Sequence, residues 1–456
     1  MTLHSHSIKF ILLQQVIASI ISILYCIVML YWIGKWQVFK LPGLPKYTAQ
    51  LVFLLKFGAG LSLTWIYTNY YTDRSTADLY KLFDDSKFMY EAVFDKPKDF
   101  FKMISGLDNN APYFDHYYFK MNNWYRPYDV DYDVYYDTRT LIRLNAFVRL
   151  FSLGVFAVHT LVWCFLSLIG LCLIYKACYR YFHEKQYWLG VSVFLMPSVL
   201  CWGSGVLKEG IVFFWMGILI YSIFQLINVG FKLSYILAII LSVIGFSLLK
   251  VHILFAFIPG LLALVICRIR TYKNVRFTYL LVLMMIVIVG FNIQLLFPSI
   301  NFIKVIAFKQ QALLRLAYYT DSGSLIEMNP LDPSFFGFLR NWPQAIINAA
   351  IRPSVLDAKN AMQWFAAYEN LFICFFIILC IGLYRPITDP KKRAFVWFCI
   401  TFTLVLYSIM GLTTPILGTL VRYRMPALPF LMMALILLMD TNRLTKLFKD
   451  LIRKYA

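Results

Sequence analysis

Charge is what this 456-residue chain has least of: Asp, Glu, Lys and Arg make up 14% of it, against 61% hydrophobic residues. With a mean hydropathy of +0.67, an ordinary soluble protein is excluded. Cysteine is missing where an oxidising compartment would use it. All nine cysteines lie in or beside apolar runs, and none falls within residues 70–150 or 298–367. A disulfide framework is thereby excluded from the two long loops. No CxxC or His/Cys spacing is present either, so nothing in the sequence points to zinc. Internal repeats and low-complexity tracts are absent too, and no segment resembles a separate soluble domain.

What is there instead is a succession of apolar runs of about twenty residues, the length that crosses a bilayer's hydrocarbon core as a helix. Eleven spans are read near residues 10–33, 50–69, 151–175, 187–202, 210–228, 233–249, 252–267, 278–297, 368–384, 394–413 and 425–440. The expected fold is an all-α polytopic membrane domain over residues 1–456. The first span is too long for a signal-peptide core and no small-residue cleavage site follows it, so it is expected to stay in the mature protein.

The formal net charge is +20. In a soluble protein this would suggest nucleic acid. Here the basic residues cluster on alternate connections, at Lys35–Lys46, Lys176–Lys185, Arg268–Arg276 and Arg385–Arg393. That is the pattern of cytoplasmic loops under the positive-inside rule. The reading has no nucleic-acid partner. It puts the N-terminus outside and the C-terminus inside, with residues 441–456 as a basic cytoplasmic tail on anionic lipid.

The two long loops, 70–150 and 298–367, are then extracytoplasmic. The first holds thirteen of the twenty-three acidic residues and is dense in aromatics, as in FDHYYFKMNNWYRPYDVDYDVYYDTRT. A disordered linker would be poor in aromatics, so a folded layer on the membrane is expected, helical around DLYKLFDDSKFMYEAVF. A further helix starting near Thr138 or Thr140 should run on into the third span.

Four groups of residues carry candidate chemistry. In the first loop, Asp84 and Asp85 are adjacent and point about 100° apart on a helix, so they cannot form a face-to-face acid pair. One of Asp73, Asp84 or Asp85 is a candidate general base or metal ligand, while a solvated helix face explains the same pattern without chemistry. In WGSGVLKEG, residues 202–210, Lys208 opens a helix at the outer interface, against both dipole and charge bias. A phosphate held there would explain it, and so would a lysine snorkelling from a hairpin tip. Lys250 and His252 sit on the same side. In VRYRMPALPF, Arg422 and Arg424 suit an anionic headgroup, or anchor the helix at the interface. Arg352 and Arg340 lie in the second loop and are placed to join them. The spans themselves carry few mid-membrane charges and no paired inverted halves with broken helices, which sets the pattern apart from a transporter.

This layout resembles the GT-C superfamily of polytopic glycosyltransferases. FDDSKFMYEAVF stands where that family has its acidic first-loop element, with Asp84 or Asp85 in the acidic position, and RYRMP is the late basic element. The loop follows the second span rather than the first, which leaves Asp73 as the other equivalent. A weaker likeness, through WGSGVLKEG and the arginine-bearing outer loops, is to polysaccharide polymerases of the Wzy and EpsG kind. The resemblance implies transfer of a sugar or glycan from a polyprenyl (di)phosphate at the outer face of a bacterial inner membrane. Asp85, Asp84 or Asp73 would serve as base, and Lys208, Arg422, Arg424, Arg352, Lys250 and His252 would bind phosphate. The implied partners are the lipid-linked sugar, membrane lipids and an acceptor, and a divalent cation (Mg or Mn) is a candidate cofactor. A transporter of lipid-linked substrates and a non-enzymatic assembly component are the alternatives.

Overall fold

The computed structural model describes residues 2–70, 73–109, 112–125, 137–298, 301–319, 323–446 and 450; the side chains of residues 2–12 and 70 lie outside that description. Nineteen α-helices form among them: α1 (Thr2–Lys35), α2 (Thr48–Tyr70), α3 (Lys81–Asp95), α4 (Pro97–Ser105), α5 (Asp115–Tyr118), α6 (Asp137–Ser152), α7 (Phe156–Tyr179), α8 (Gln186–Phe194), α9 (Pro197–Trp202), α10 (Lys208–Asn228), α11 (Leu233–Ser247), α12 (Val251–Ile269), α13 (Val275–Leu296), α14 (Phe302–Tyr319), α15 (Phe335–Ile351), α16 (Ala361–Gly382), α17 (Pro390–Thr413), α18 (Leu417–Arg424) and α19 (Leu428–Leu438). The described residues contain no β-strand, only two isolated bridges.

Among the described residues, nine helices are long and apolar enough to cross a membrane. Seven are single helices matching expected spans, α18 and α19 join as a ninth over Leu417–Leu438, and α1 is counted from Leu13. Two of the eleven expected spans come out shorter. Residues 187–202 divide into α8 and α9 just ahead of Pro197, whose ring removes a backbone donor and disfavours helix at the preceding residue. α11 has only 15 residues. The chain has the build of a polytopic membrane protein.

The chain divides into two compact units. One comprises Met1–Ala177, Leu200–Gln225 and Phe231–Lys250; the other comprises Cys178–Val199, Leu226–Gly230 and Val251–Ala456.

In the first unit, α3, α4 and α6 pack on one another as a helical layer. α3 is amphipathic, burying Leu82, Phe83, Asp85, Ser86, Met89 and Ala92 at helical spacing. Pro97 opens α4. Gly106, at φ +74°, closes it by returning its N–H to the carbonyl of Lys102, a left-handed position that glycine adopts without strain. Met89, Phe100, Met103, Tyr118, Trp124 and Ile142 form the core of the layer. α6 does not run on into the third span as expected. Leu153 and Gly154 both take positive φ and break the helix before α7.

That corner is fastened by buried polar contacts. His159 Nδ1 lies 2.8 Å from Asn145 Oδ1, and its Nε2 lies 2.8 Å from Ser152 Oγ. Arg149 donates to Ser86 Oγ and to the Phe83 carbonyl, both at 2.8 Å. Deeper in the unit, α7 and α10 touch backbone to backbone: a Cβ on Gly217 would stand 2.1 Å from the Gly170 carbonyl oxygen. Close approach through small residues is how helices associate without a hydrophobic driving force.

The second unit is organised around α17, which packs against α12, α15 and α19. Phe257 and Phe402 stack face to face at 3.8 Å, with Phe430 edge-on to both. Lys185 donates to the carbonyls of Ile436 and Met439 at 2.8 Å and so satisfies the end of α19. Of the basic tail, residues 447–449 and 451–456 lie outside the described residues.

Candidate functional site

α10 opens on two consecutive ion pairs. Lys208 Nζ lies 2.6 Å from Asp137 Oδ2, with side chains 15% and 26% exposed. Glu209 takes Lys250 Nζ at 2.9 Å, and that pair is sealed from solvent. Thr140, one turn into α6, donates to the Leu248 carbonyl. The starts of α6 and α10 and the end of α11 thus meet at one end of the first unit. Short as it is, α11 brings the chain back to where α10 began.

The turn leading into this point is a packed plug rather than an open phosphate loop. Lys56 donates to the Gly203 carbonyl at 2.9 Å, Cys164 to that of Ser204, and Trp163 Nε1 to that of Leu207. Gly205 leaves no room for a side chain, since a Cβ would fall within 2.9 Å of Leu63 and Leu79. Lys56 is wholly buried in α2, a mid-span charge that the sequence reading passed over.

The three first-loop aspartates occupy three different settings. Asp73 is exposed and caps the turn Arg74–Thr76, accepting from Ser75 N and Oγ, which holds its carboxyl below the usual range. Asp84 receives Arg74 in a two-pronged grip, Nε at 2.7 Å and Nη2 at 3.0 Å. Asp85 is buried and accepts three donors: the backbone N–H groups of Asn122 and Asn123 and the Asn123 side-chain amide, at 2.8–3.0 Å. Burial pushes its carboxyl up, and those hydrogen bonds only partly offset this.

In the second unit, Arg424 is not at a helix mouth. It is 1% exposed, donating Nη1 to the Ala349 carbonyl and Nη2 to Asn370 Oδ1. Asn370 in turn donates to the carbonyls of Ile351 and Pro353. Beside it on α16, Glu369 accepts from Ser198 N and Oγ. Lys56, Glu369 and Arg424 are thus buried charges inside candidate spans, where few were expected. Arg352 stands 3.8 Å from Asp357, and the His252 ring lies 6.0 Å from that of Tyr423.

Among the sequence-derived candidates, Lys208 and Lys250 come together, each with a carboxylate partner, while Asp73, Asp84 and Asp85 do not converge. Asp137 and Glu369 were not singled out, although a carboxylate inside an apolar run was a visible signal for the second. Among the described residues no three His, Cys, Asp or Glu side chains gather as a metal site. Compared with protein-family models, curated proteins and solved structures, the chain matches none.

Proposed function

We propose that the protein transfers a sugar or glycan from a polyprenyl phosphate or diphosphate to an acceptor hydroxyl at the outer face of a bacterial inner membrane. The observation that carries the reading is the Lys208–Asp137 pair, a part-exposed cation and carboxylate at the start of an apolar helix. In a direct displacement the acceptor oxygen bonds the anomeric carbon as that carbon's bond to the carrier phosphate breaks. A phosphate arriving at Lys208 draws the ammonium from Asp137, and the released carboxylate takes the acceptor's proton. The electron pair of the broken bond stays on the carrier phosphate, whose negative charge Lys208 offsets.

Asp137 is preferred to Asp85 because its side chain is 26% exposed whereas Asp85 is buried. Lys250 and Arg424 are sealed from solvent whereas Lys208 is 15% exposed, so Lys208 is the cation on which the reading depends. Chain polymerisation is the same chemistry with a longer donor.

Mass spectrometry of lipid-linked glycans decides the matter, in cells carrying the wild type, a deletion, Asp137→Asn, and Asp85→Asn, Asp84→Asn and Asp73→Asn in parallel. The expected outcome is one polyprenyl-linked sugar accumulating in both the deletion and the Asp137→Asn strain. Unchanged lipid-linked glycans in the deletion overturn the reading.

One observation favours transport instead: Glu369 and Arg424 are buried inside candidate spans, where ionisable groups usually mark a substrate or ion path. Carrier-linked sugar accumulating in the deletion strain on the cytoplasmic leaflet alone would select that alternative.

A further inference from the structure

We propose that the outward face of residues 113–125, together with Asp99, binds a neutral oligosaccharide. This segment is anchored from below. Phe114, Tyr118, Met121 and Trp124 are buried in the core of the layer, and Tyr118 stacks on Trp124 at 4.1 Å with the rings 9° apart. The guanidinium groups of Arg139 and Arg143 lie over the Trp124 ring at 5.1 and 5.4 Å. Asp85 fixes the backbone at Asn122 and Asn123. What faces outward is held rigid by what is buried.

That outer face is aromatic and acidic together. Tyr113, Phe119 and Tyr125 are 48%, 75% and 41% exposed, and Phe119 and Tyr125 are in ring contact at 5.7 Å. Two carboxylates set the hydroxyls. Tyr113 and Tyr117 both donate to Asp99 Oδ2, at 2.7 and 3.2 Å, and Tyr125 donates to Asp115 Oδ1 at 2.7 Å. Burial, and then the Asp99 charge, push the Tyr117 hydroxyl up to about 12, so it stays a donor. Each carboxylate keeps its second oxygen, Asp99 Oδ1 and Asp115 Oδ2, without a hydrogen bond among the described residues.

Exposed ring faces beside oriented hydroxyls and open carboxylate oxygens complement a sugar. Its C–H faces pack on aromatic rings, and its hydroxyls donate to the open carboxylate oxygens and to the phenol oxygens, whose own protons are held by Asp99 and Asp115. Lys96 Nζ donates to the Tyr113 hydroxyl at 3.1 Å and the Arg139 guanidinium lies 5.7 Å from the centre of the Tyr125 ring, so the face carries both signs of charge and suits a neutral ligand. Tyrosine also supplies this contact area with little conformational entropy to lose. The inference rests on the transferase reading only in making the acceptor a glycan; binding itself is measured apart from transfer.

The test uses the full chain in lipid nanodiscs and saturation-transfer NMR with three neutral probes, cellohexaose, maltohexaose and chitohexaose, and hexagalacturonate as the anionic control. At least one neutral probe should show transfer to its ring protons, with the anionic one at least about tenfold weaker. Phe119→Ala and Tyr125→Phe change exposed groups and leave the core in place; each should weaken binding by about tenfold or more. Absence of transfer from all three neutral probes overturns the proposal, as does wild-type affinity in both variants or equal binding of hexagalacturonate. A protein partner that competes for the face while no sugar binds does the same. If sugar binding holds while the deletion leaves lipid-linked glycans unchanged, the surface stands and the transferase reading falls.

Discussion

Asp85 on α3 takes both the backbone N–H and the side-chain amide of Asn123, 38 residues further along the chain. One carboxylate thereby ties the first helix of the acidic layer to the turn that carries Trp124. Replacing it by Asn keeps the shape but loses the charged acceptor. Asn presents one oxygen and one NH2 where Asp85 presents two oxygens, so at least one buried donor loses its partner and Asp85→Asn should lower the stability of the layer by about 1–3 kcal/mol. Limited proteolysis within residues 73–125 reads this directly, and wild-type resistance would mean that the three hydrogen bonds contribute little.

The same group sets a pH dependence. The folded carboxyl of Asp85 is raised above its ordinary 3.8, chiefly by burial. A raised folded value contributes stability that is fully present below 3.8 and is lost as pH rises through the folded value. The advantage of wild type over Asp85→Asn should therefore grow as pH falls from neutrality toward 3.8. Thermal melts of the two proteins across that range check the sign; an advantage that shrinks on acidification would contradict it.

Asp84 should behave otherwise. Its bond to Arg74 is two-pronged but exposed, with side chains 40% and 52% accessible. Surface pairs of this kind contribute less than about 1 kcal/mol. Asp84→Asn should leave the melting temperature within a few degrees of wild type. A loss of activity without a loss of stability in this variant would return Asp84 to the chemistry.

Lys250 and Glu209 form a closed pair, 3% and 1% exposed. Removing one partner leaves a buried charge facing a neutral group, at about 3–5 kcal/mol. Lys250→Met and Glu209→Leu should each be strongly destabilised in detergent, and the double variant should recover much of the loss. Additive losses in the double-mutant cycle would show that the two side chains do not depend on each other.

At Gly217 the outcome is set by space alone. A Cβ there meets the Gly170 carbonyl oxygen at 2.1 Å, which backbone cannot yield without separating α7 from α10. Gly217→Ala should not accumulate as folded protein, whereas Gly290→Ala, with nothing within 4 Å of its Cβ, should be silent. Fluorescence-detected gel filtration of the two variants separates these cases.

The sequence by itself located nine candidate spans among the eleven it suggested, because a helix in lipid must satisfy every backbone group internally and hold about twenty apolar residues to do so. Its aromatic content also pointed to a folded layer in the first loop, seen in α3, α4 and α6, and adjacency on one helix required Asp84 and Asp85 to diverge. Tertiary structure alone decided which partner each charge took. Asp137 and Lys208 are 71 positions apart, and nothing local distinguishes Asp137 from the other acids of its loop. Lys56 reads as an interruption in an apolar run until the Gly203 carbonyl is seen 147 residues away. Arg424 reads as an interfacial cation until Asn370 and Ala349 enclose it. Apolar length is a property of consecutive residues, whereas a buried charge is tolerated only through groups that the fold delivers from elsewhere.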